Sequence, residues 1–362
     1  MTVAKNILIS AGGTGGHFFP ALALAKSLRD NGKSVILTTD KRCQSYIPSD
    51  AADTTIIQNV TRFRRRPIAL ILFSCTVFYY IWSNLALMRN KKIDVVLTFG
   101  GYQCIAVLLA AYILRIPIIL NEQNIIAGRT NRLFAKIADK IAVGFKNQQG
   151  FEAFSDKVVL TGIPVRSEFY VKPTIGDKDF LHILVTGGSQ GATIFSKLTP
   201  DLLAKIKPEY ISKIKLVQQV RQEDSAGLEN ALLPYTIDRR LETFFPNMAD
   251  EMVNSDLVIT RSGASTIAEL IAVKKPCIFI PYPEAMDNHQ YYNAKELEQI
   301  GVGMILDQNQ IDIDQLAEFI EQAIENREVL TNMSSKYQDH LEYKPIESIT
   351  RLINEYNINI IP

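Results

Sequence analysis

Short runs of consecutive apolar residues alternate along the first half of the chain with longer segments of helical spacing. Each run ends at glycine or polar residues, so we predict buried strands at these positions. They are Asn6–Ser10, Ser34–Thr38, Thr54–Ile57, Asp94–Phe99, Ile116–Leu120, Lys140–Val143 and Val158–Leu160. Continuous apolar strands separated by helices are typical of a parallel sheet with helices on both faces. The first half therefore predicts an α/β domain.

The second half repeats this alternation. Its predicted strands are Ile183–Thr186, Ile214–Gln218, Leu241–Phe245, Leu257–Thr260 and Cys277–Ile280. The glycine run that follows the first strand also recurs, with Gly12 matching Gly188 and Gly15 matching Gly191. We therefore predict two Rossmann-like α/β domains in tandem that face each other across a cleft, a usual position for a ligand.

Length and composition set limits on the class of protein. A chain of 362 residues suits two domains of about 150 residues each. We place them at residues 1–163 and 164–342, with a polar linker after Arg166, up to Asp179. The net charge of +1 disfavours a nucleic-acid-binding protein that works by bulk charge. The chain starts directly with a strand, so we expect no signal peptide.

Neither disulfides nor a metal site are expected. The cysteines are scattered, without Cys-x-x-Cys pairs or neighbouring histidines, and we interpret them as reduced packing residues. They are Cys43, Cys75, Cys104 and Cys277. The acidic pair Asp312 and Asp314 resembles a metal site only superficially, because it stands where a helix is predicted to begin.

The first glycine run, residues 12–16, stands between a strand and an amphipathic segment. In this geometry backbone N–H groups at a helix start face an anionic or polar ligand. His17 follows at once and is well placed for a base. A nicotinamide-binding fingerprint is disfavoured, because Phe18 stands where its third glycine is needed. Asp40 could imitate the ribose-binding acid of that fingerprint, but we interpret it as a turn cap.

Polar residues follow two more of the predicted strands. Tyr102 comes after Asp94–Phe99, while Glu122 and Asn124 come after Ile116–Leu120. The carboxyl ends of parallel strands share one edge of the sheet, where ligands bind. We therefore expect these side chains near His17, and Glu122 is the rival candidate for a base.

In the second half, a strand runs into the segment RSGASTIAE, residues 261–269. Its helix begins at Ala264 with unpaired N–H groups, which suit a phosphate. Glu269 either complements the helix dipole or accepts hydrogen bonds from a ribose diol. Further on, Gln290 and Asn293 share one face of a helix at i, i+3 spacing.

Residues 67–88 form an uncharged, mostly apolar run of helical character. Basic residues flank it: Arg62, Arg64, Arg65, Arg66, Arg89, Lys91 and Lys92. By length the run is a candidate membrane span. A span would break the predicted sheet, so an interfacial helix and a plain buried helix remain open as alternatives.

Seven motifs, in order, resemble those of one family. They are AGGTGGHFFPALALA, FGGY, NEQN followed by AGRTNR, GIPVR, GGSQGA, RSGASTIAEL and DNHQYYNA. Together they span residues 11 to about 294. By these motifs the chain resembles the MurG family of bacterial peptidoglycan N-acetylglucosaminyltransferases, which has two Rossmann domains and belongs to the GT-B class. The chain departs from the family after FGGY, where Gln103-Cys104-Ile105 replaces a more glycine-rich loop, and at Asn121 and His289.

The resemblance implies inverting transfer of GlcNAc from UDP-GlcNAc to the 4-hydroxyl of MurNAc in undecaprenyl-pyrophosphoryl-MurNAc-pentapeptide (lipid I), which gives lipid II. It implies no cofactor, and a peripheral enzyme on the cytoplasmic face of the membrane. The membrane surface would be anionic, and cell-wall synthesis or division proteins remain open as partners. The last helices, from about residue 343, would pack back on the first domain.

The resemblance also implies roles for individual residues, with His17 or Glu122 as the base. Donor contacts would come from Arg166, Ser189, Gln190, Phe245, Ala264, Ser265, Thr266, Glu269, Gln290 and Asn293. Contacts from the first domain would come from Thr14, Gly15, Gly16, Tyr102 and Asn124, and the acceptor's pyrophosphate would lie against the first glycine run. Membrane docking would use Arg64, Arg65, Arg66, Phe73, Phe78 and Trp82.

Two other functions fit the same architecture. One is chemistry like that of UDP-GlcNAc 2-epimerases, which needs neither a lipid acceptor nor a membrane. The other is a non-catalytic nucleotide-sugar-binding or docking subunit. The basic-flanked apolar helix argues against the first, and the presence of both His17 and Glu269 argues against the second.

Overall fold

The computed structural model describes residues 4–13, 15–60, 67–170, 179–188, 191–337 and 344–356. These residues divide into two compact units. The first unit runs up to Arg166 and includes the C-terminal helix, while the second begins at Ser167. Each unit is built on one parallel sheet, which confirms the α/β fold class predicted from the sequence.

The first unit alternates strands and helices along its length. Its elements are β1 (Asn6–Ser10), α1 (Gly15–Asp30), β2 (Ser34–Thr39), β3 (Thr54–Ile57), α2 (Pro67–Asn90), β4 (Val95–Thr98), α3 (Cys104–Leu114), β5 (Ile118–Glu122), α4 (Arg129–Phe134), β6 (Lys140–Val143) and β7 (Val158–Leu160). The strands lie in the order β3-β2-β1-β4-β5-β6-β7. Ile7 of β1 is opposite Val35 on one side and Val95 on the other. The order therefore reverses between β1 and β4.

The second unit repeats this plan. Its elements are β8 (Leu181–Thr186), α5 (Thr193–Leu203), α6 (Pro208–Ile211), β9 (Ile214–Gln219), α7 (Ser225–Leu232), β10 (Asp238–Glu242), α8 (Met248–Asn254), β11 (Leu257–Thr260), α9 (Ala264–Val273), β12 (Cys277–Phe279), α10 (His289–Gln299), β13 (Gly303–Ile305), α11 (Ile313–Glu325) and α12 (Glu328–Ser335). The strand order is β10-β9-β8-β11-β12-β13, so the reversal lies between β8 and β11.

Two strands of the second sheet differ from the sequence prediction. We predicted a strand over Leu241–Phe245, but β10 ends at Glu242, and we did not predict β13. Both are edge strands. The residues of β10 are DRRLE with no side chain fully buried, and β13 has three residues. Edge strands need no continuous apolar run, because one side of the strand lacks a neighbour.

Helices cover both faces of the first sheet. Ile7 and Leu8 point to opposite faces, as alternation along a strand requires, and they belong to different core clusters. Ile7 packs with α1 and with the C-terminal helix α13 (Pro345–Asn354), which contributes Ile349, Leu352 and Ile353. Leu8 packs on the side of α2 and α3. The chain therefore returns to the first unit at its end.

Helix α2 has one buried face and one exposed apolar face. Leu85 and Met88 are buried, and Asn84 exchanges hydrogen bonds of 2.8 and 3.2 Å with the side chain of Gln58. The exposed apolar residues are Ile68, Ile71, Leu72, Phe78, Tyr79 and Trp82. Within the described chain, α2 is the one helix long and apolar enough to cross a membrane by length and composition.

Candidate active site

The carboxyl ends of β1 and β4 meet where the strand order of the first sheet reverses. Ligands of parallel sheets bind in the crevice at such a point. His17 lies in the first turn of α1, Tyr102 in the loop after β4 and Asn124 in the loop after β5, and all three are half-buried. The structure therefore brings these predicted residues to one edge of the first sheet. Gly15 and Gly16 open α1, while Thr14 lies outside the described residues.

Asp40 ties together three loops at this edge. Its Oδ2 accepts hydrogen bonds from the backbone N–H of Gly13 at 2.8 Å and from Nε2 of Gln103 at 2.6 Å. The guanidinium of Arg42 pairs with the same carboxylate at 2.6 Å and also donates to the hydroxyl of Tyr102 at 3.3 Å. The N–H of Gly13 is therefore committed to a carboxylate of the protein.

Glu122 is buried and its carboxylate is fully engaged. One oxygen accepts from the backbone N–H and the side-chain amide of Asn124, at 3.0 and 3.4 Å. The other accepts from the backbone N–H of Gly128 and from Nδ2 of Asn131, both at 2.9 Å. Burial raises the pKa of Glu122, although the four N–H donors oppose the shift. This geometry suits a residue that holds residues 124–131 in place.

Sequence reasoning missed the roles of Asn131 and Gln103. Both lie close to predicted site residues, and both are at least 97% buried. Their polarity was visible in the sequence, but their burial was not. Arg166, which was predicted, is half-buried with its guanidinium 5.2 Å from the ring centre of Phe19 on α1.

The second glycine run follows β8 and is tightly packed. The hydroxyl of Thr186 donates to Oε1 of Gln219 at 2.9 Å and accepts from the N–H of Gly188 at 3.3 Å. Gly188 and Gly191 have φ of +77° and +68°, which favours glycine over other residues. Ser189 and Gln190, both predicted donor contacts, lie outside the described residues.

Helix α9 starts at the carboxyl end of β11, beside the reversal point of the second sheet. Its N-cap is Gly263, which makes no side-chain cap hydrogen bond. Ala264 is buried, whereas Ser265, Thr266 and Glu269 are half-buried. The first-turn N–H groups of a helix carry partial positive charge, so an anion here would be stabilised.

Helix α10 supports this corner with two amides. Nδ2 of Asn293 donates to the carbonyl of Ser262 at 3.2 Å, and Asn293 itself is fully buried. Oε1 of Gln290 accepts from the N–H of Tyr282 at 3.0 Å. Asn293 therefore fixes the backbone just before α9, while Gln290, half-buried on α10, holds the backbone of the loop at Tyr282.

Two further side chains stand out near the strand ends of the second sheet. Phe245 is buried, 5% exposed, beneath the guanidinium of Arg240 at 5.3 Å. Arg261 was not singled out from the sequence, although it lies three residues before the predicted helix start at Ala264. It donates to the carbonyls of Ile280 and Pro281 at 2.7 and 3.0 Å, and burial lowers its pKa to about 10.

The predicted membrane-docking residues differ in their exposure. Phe78 and Trp82 are 63% and 62% exposed, with their rings in edge-to-face contact at 6.4 Å. Phe73 is half-buried against a small cluster of Val60, Val77 and Ala106. Arg64, Arg65 and Arg66 lie outside the described residues.

Over the described part of the chain, no three His, Cys, Asp or Glu side chains are grouped to hold a metal ion.

Comparison with known proteins places both units in one group. Residues 7–143 match the glycosyltransferase family 28 N-terminal domain, and residues 182–349 match the C-terminal domain of that family. The UDP-N-acetylglucosamine--N-acetylmuramyl-(pentapeptide) pyrophosphoryl-undecaprenol N-acetylglucosamine transferase of Rickettsia bellii is 40% identical over 337 residues, 91% of this chain and 94% of the relative.

Solved structures agree. MurG of Acinetobacter baumannii has a TM-score of 0.75 at 28% identity, over 97% of this chain and 99% of that chain. UDP-GlcNAc 2-epimerase of Neisseria meningitidis, solved with UDP-GlcNAc, has a TM-score of 0.67 at 15% identity over 97% of this chain and 100% of that chain. At that identity, the likeness to the epimerase shows the fold alone.

Two parallel-sheet units that match the two domains of glycosyltransferase family 28 define a glycosyltransferase of the GT-B class. The identity to the Rickettsia transferase over nine-tenths of the chain is far above that to the epimerase. The chain belongs to the MurG family of N-acetylglucosamine transferases, within glycosyltransferase family 28.

Proposed function

We propose that this chain transfers N-acetylglucosamine from UDP-GlcNAc to the 4-hydroxyl of MurNAc in lipid I, with inversion, and so forms lipid II. The observation that carries this proposal is the 40% identity, over 91% of the chain, to a transferase whose name specifies that donor and acceptor. The alternative epimerase-like function has only a shared fold in its favour.

The donor is proposed to bind to the second unit. The diphosphate would lie at the start of α9, whose N-cap residue, Gly263, makes no side-chain cap hydrogen bond. Glu269, half-buried less than two turns further on, would accept hydrogen bonds from the ribose hydroxyls. Asn293 contributes indirectly, because its bond to the carbonyl of Ser262 fixes the backbone that leads into this helix start.

The acceptor is proposed to react at the first unit, with His17 as the general base. An attacking hydroxyl must lose its proton during transfer, and a histidine suits that task near neutral pH. Glu122, the rival, is 2% exposed and accepts four N–H donors, so neither of its oxygens is directed at a ligand. This contrast favours His17.

Lipid I is anchored in the membrane, so the enzyme has to reach the headgroup plane. We assign that contact to the exposed face of α2 on the cytoplasmic side of the membrane, as a peripheral attachment. Its aromatic side chains, Phe78, Tyr79 and Trp82, suit the interfacial region. Because the opposite face is buried and Asn84 is bonded to Gln58, the helix stays part of the first unit.

Labelled GlcNAc transfer from UDP-GlcNAc to a short-chain lipid I analogue tests the proposal. Wild type should form lipid II analogue, and His17→Ala should lower kcat roughly 10²–10⁴-fold with UDP binding retained. His182→Ala is the matched control, since His182 lies near the amino end of β8, away from the carboxyl edge of its sheet. No transfer by wild type, or free sugar epimer instead, contradicts the function. A His17→Ala variant that keeps its kcat contradicts only the role of His17.

A further inference from the structure

The side chain of Gln103 is buried in the first unit and has no part in the proposed function. It is 3% exposed and lies across the glycine run after β1. A Cβ added to Gly12 would come within 3.2 Å of its Cδ, and one added to Gly101 within 3.1 Å of its Oε1. The missing side chains of these glycines therefore make room for the Gln103 amide.

Asp40 fixes which way that amide faces. A carboxylate accepts hydrogen bonds and does not donate them. The end of Gln103 that lies 2.6 Å from Oδ2 of Asp40 must therefore be the NH₂ group. Oε1 is then forced to the far side, towards Gly13 and Gly101, and it has no hydrogen-bond partner among the described residues.

His17 faces the same point. The position of a Cβ on Gly101 would be 3.1 Å from Oε1 of Gln103 and 3.6 Å from Nδ1 of His17. Arg42, whose guanidinium lies near Gly13, is engaged by Asp40 and by the hydroxyl of Tyr102. The oriented acceptor oxygen and one nitrogen of the imidazole therefore both lie within 3.6 Å of the same point.

We propose that Gln103 is a positioning residue that holds the neutral imidazole of His17 in its Nδ1–H form. Nδ1–H donates to Oε1 of Gln103 through one water, and Asp40 keeps that oxygen in place. The lone pair then stays on Nε2, which is the nitrogen left to take the proton of a hydroxyl. The hydrogen bond at one ring nitrogen of histidine generally decides which nitrogen carries the proton.

The inference rests on the proposed function in one respect, the role of His17 as the base. The tautomer of His17 can be measured without substrates, so that part of the inference stands apart from the function. The direct measurement is ¹⁵N NMR of histidine side chains in the substrate-free full chain, above the pH at which His17 is protonated. The sequence has four histidines, so a His17→Ala spectrum assigns the signal. We expect the Nδ1–H form in wild type. The Nε2–H form in wild type overturns the proposal without any further variant.

Gln103→Leu removes the acceptor oxygen and keeps an apolar side chain of similar size. It should shift His17 towards the Nε2–H form and lower kcat roughly 10- to 100-fold, the range seen for residues that orient a functional histidine. The Kd for UDP should not change. Gln58→Leu is the control, because Gln58 is an equally buried amide of the same unit that pairs with Asn84.

The outcomes separate this inference from the proposed function. A tautomer shift in Gln103→Leu, absent in Gln58→Leu, supports the positioning role even if the acceptor proves to be another molecule. An unchanged tautomer in folded Gln103→Leu overturns it, as does an equal shift in both variants. A raised KM for acceptor with unchanged kcat and tautomer would make Gln103 a binding residue, which also overturns it.

Discussion

Replacing Gly187 by alanine should disrupt the second glycine run. A Cβ at this position would lie 2.3 Å from the backbone N of Ala192, and 2.4 and 2.7 Å from the C and Cα of Gly191. Non-bonded carbon contacts are favourable only at about 3.5–4.0 Å. All three clashing atoms are backbone, so no side-chain rotation relieves the clash. The chain between Gly187 and the start of α5 has to move by about 1 Å.

This movement sets the expected loss of folding stability and of UDP affinity. Forcing an extra methyl group into a packed site typically costs about 1–3 kcal/mol of folding stability. If the shifted loop also loses one charge-assisted hydrogen bond to the donor, worth about 1.5–3 kcal/mol, UDP binding weakens roughly 10- to 100-fold. Urea denaturation monitored for the second unit measures the first quantity, and calorimetric titration with UDP measures the second.

Gly227→Ala is the matched control in the same unit. Gly227 lies within α7, and a Cβ there would meet nothing within 4 Å. Because alanine is the better helix former, this variant should gain up to about 1 kcal/mol and bind UDP as wild type does. The same substitution therefore has opposite signs at two positions. Gly187→Ala with the urea midpoint and UDP affinity of wild type would refute the argument from the backbone clash.

Other substitutions test the remaining assignments. Glu269→Ala should weaken UDP and UDP-GlcNAc equally, by roughly 10- to 100-fold, if the carboxylate binds the ribose; calorimetry that finds UDP affinity unchanged would leave Glu269 as a helix-dipole residue. The double variant Phe78→Ser with Trp82→Ser should detach the protein from anionic vesicles in a flotation assay and leave UDP binding intact. Leu233→Ser, at a 66% exposed position of the second unit, is the control; equal detachment by both would contradict docking through α2.

The sequence predicts the features of the fold that depend on neighbours in the chain. The apolar run of β4, Val95–Thr98, is fully buried, as a central parallel strand requires. The glycine runs after β1 and β8 are recognisable because a close turn between strand and helix leaves its own signature. Edge strand β10 has no such signature, and its position was wrong by three residues at either end.

The site was harder to predict, because its contacts join distant loops. The sequence placed Glu122 on the correct edge of the first sheet, but the donors that occupy its carboxylate come from Asn124, Gly128 and Asn131. Asp40 and Gln103 are 63 positions apart and meet only because β2, β1 and β4 are adjacent. Strand order is a property of the whole sheet, so no local pattern reports it.

The first glycine run and the start of α9 therefore differ in chemistry. In the first, a carboxylate from the next loop, Asp40, accepts the N–H of Gly13 and so places negative charge beside the run. In the second unit, the N-cap residue of α9, Gly263, makes no side-chain cap hydrogen bond. On the proposed function, one of these βα junctions serves proton transfer at His17 and the other serves diphosphate binding. This asymmetry is what a transferase needs, since one substrate must be deprotonated while the leaving group of the other is stabilised.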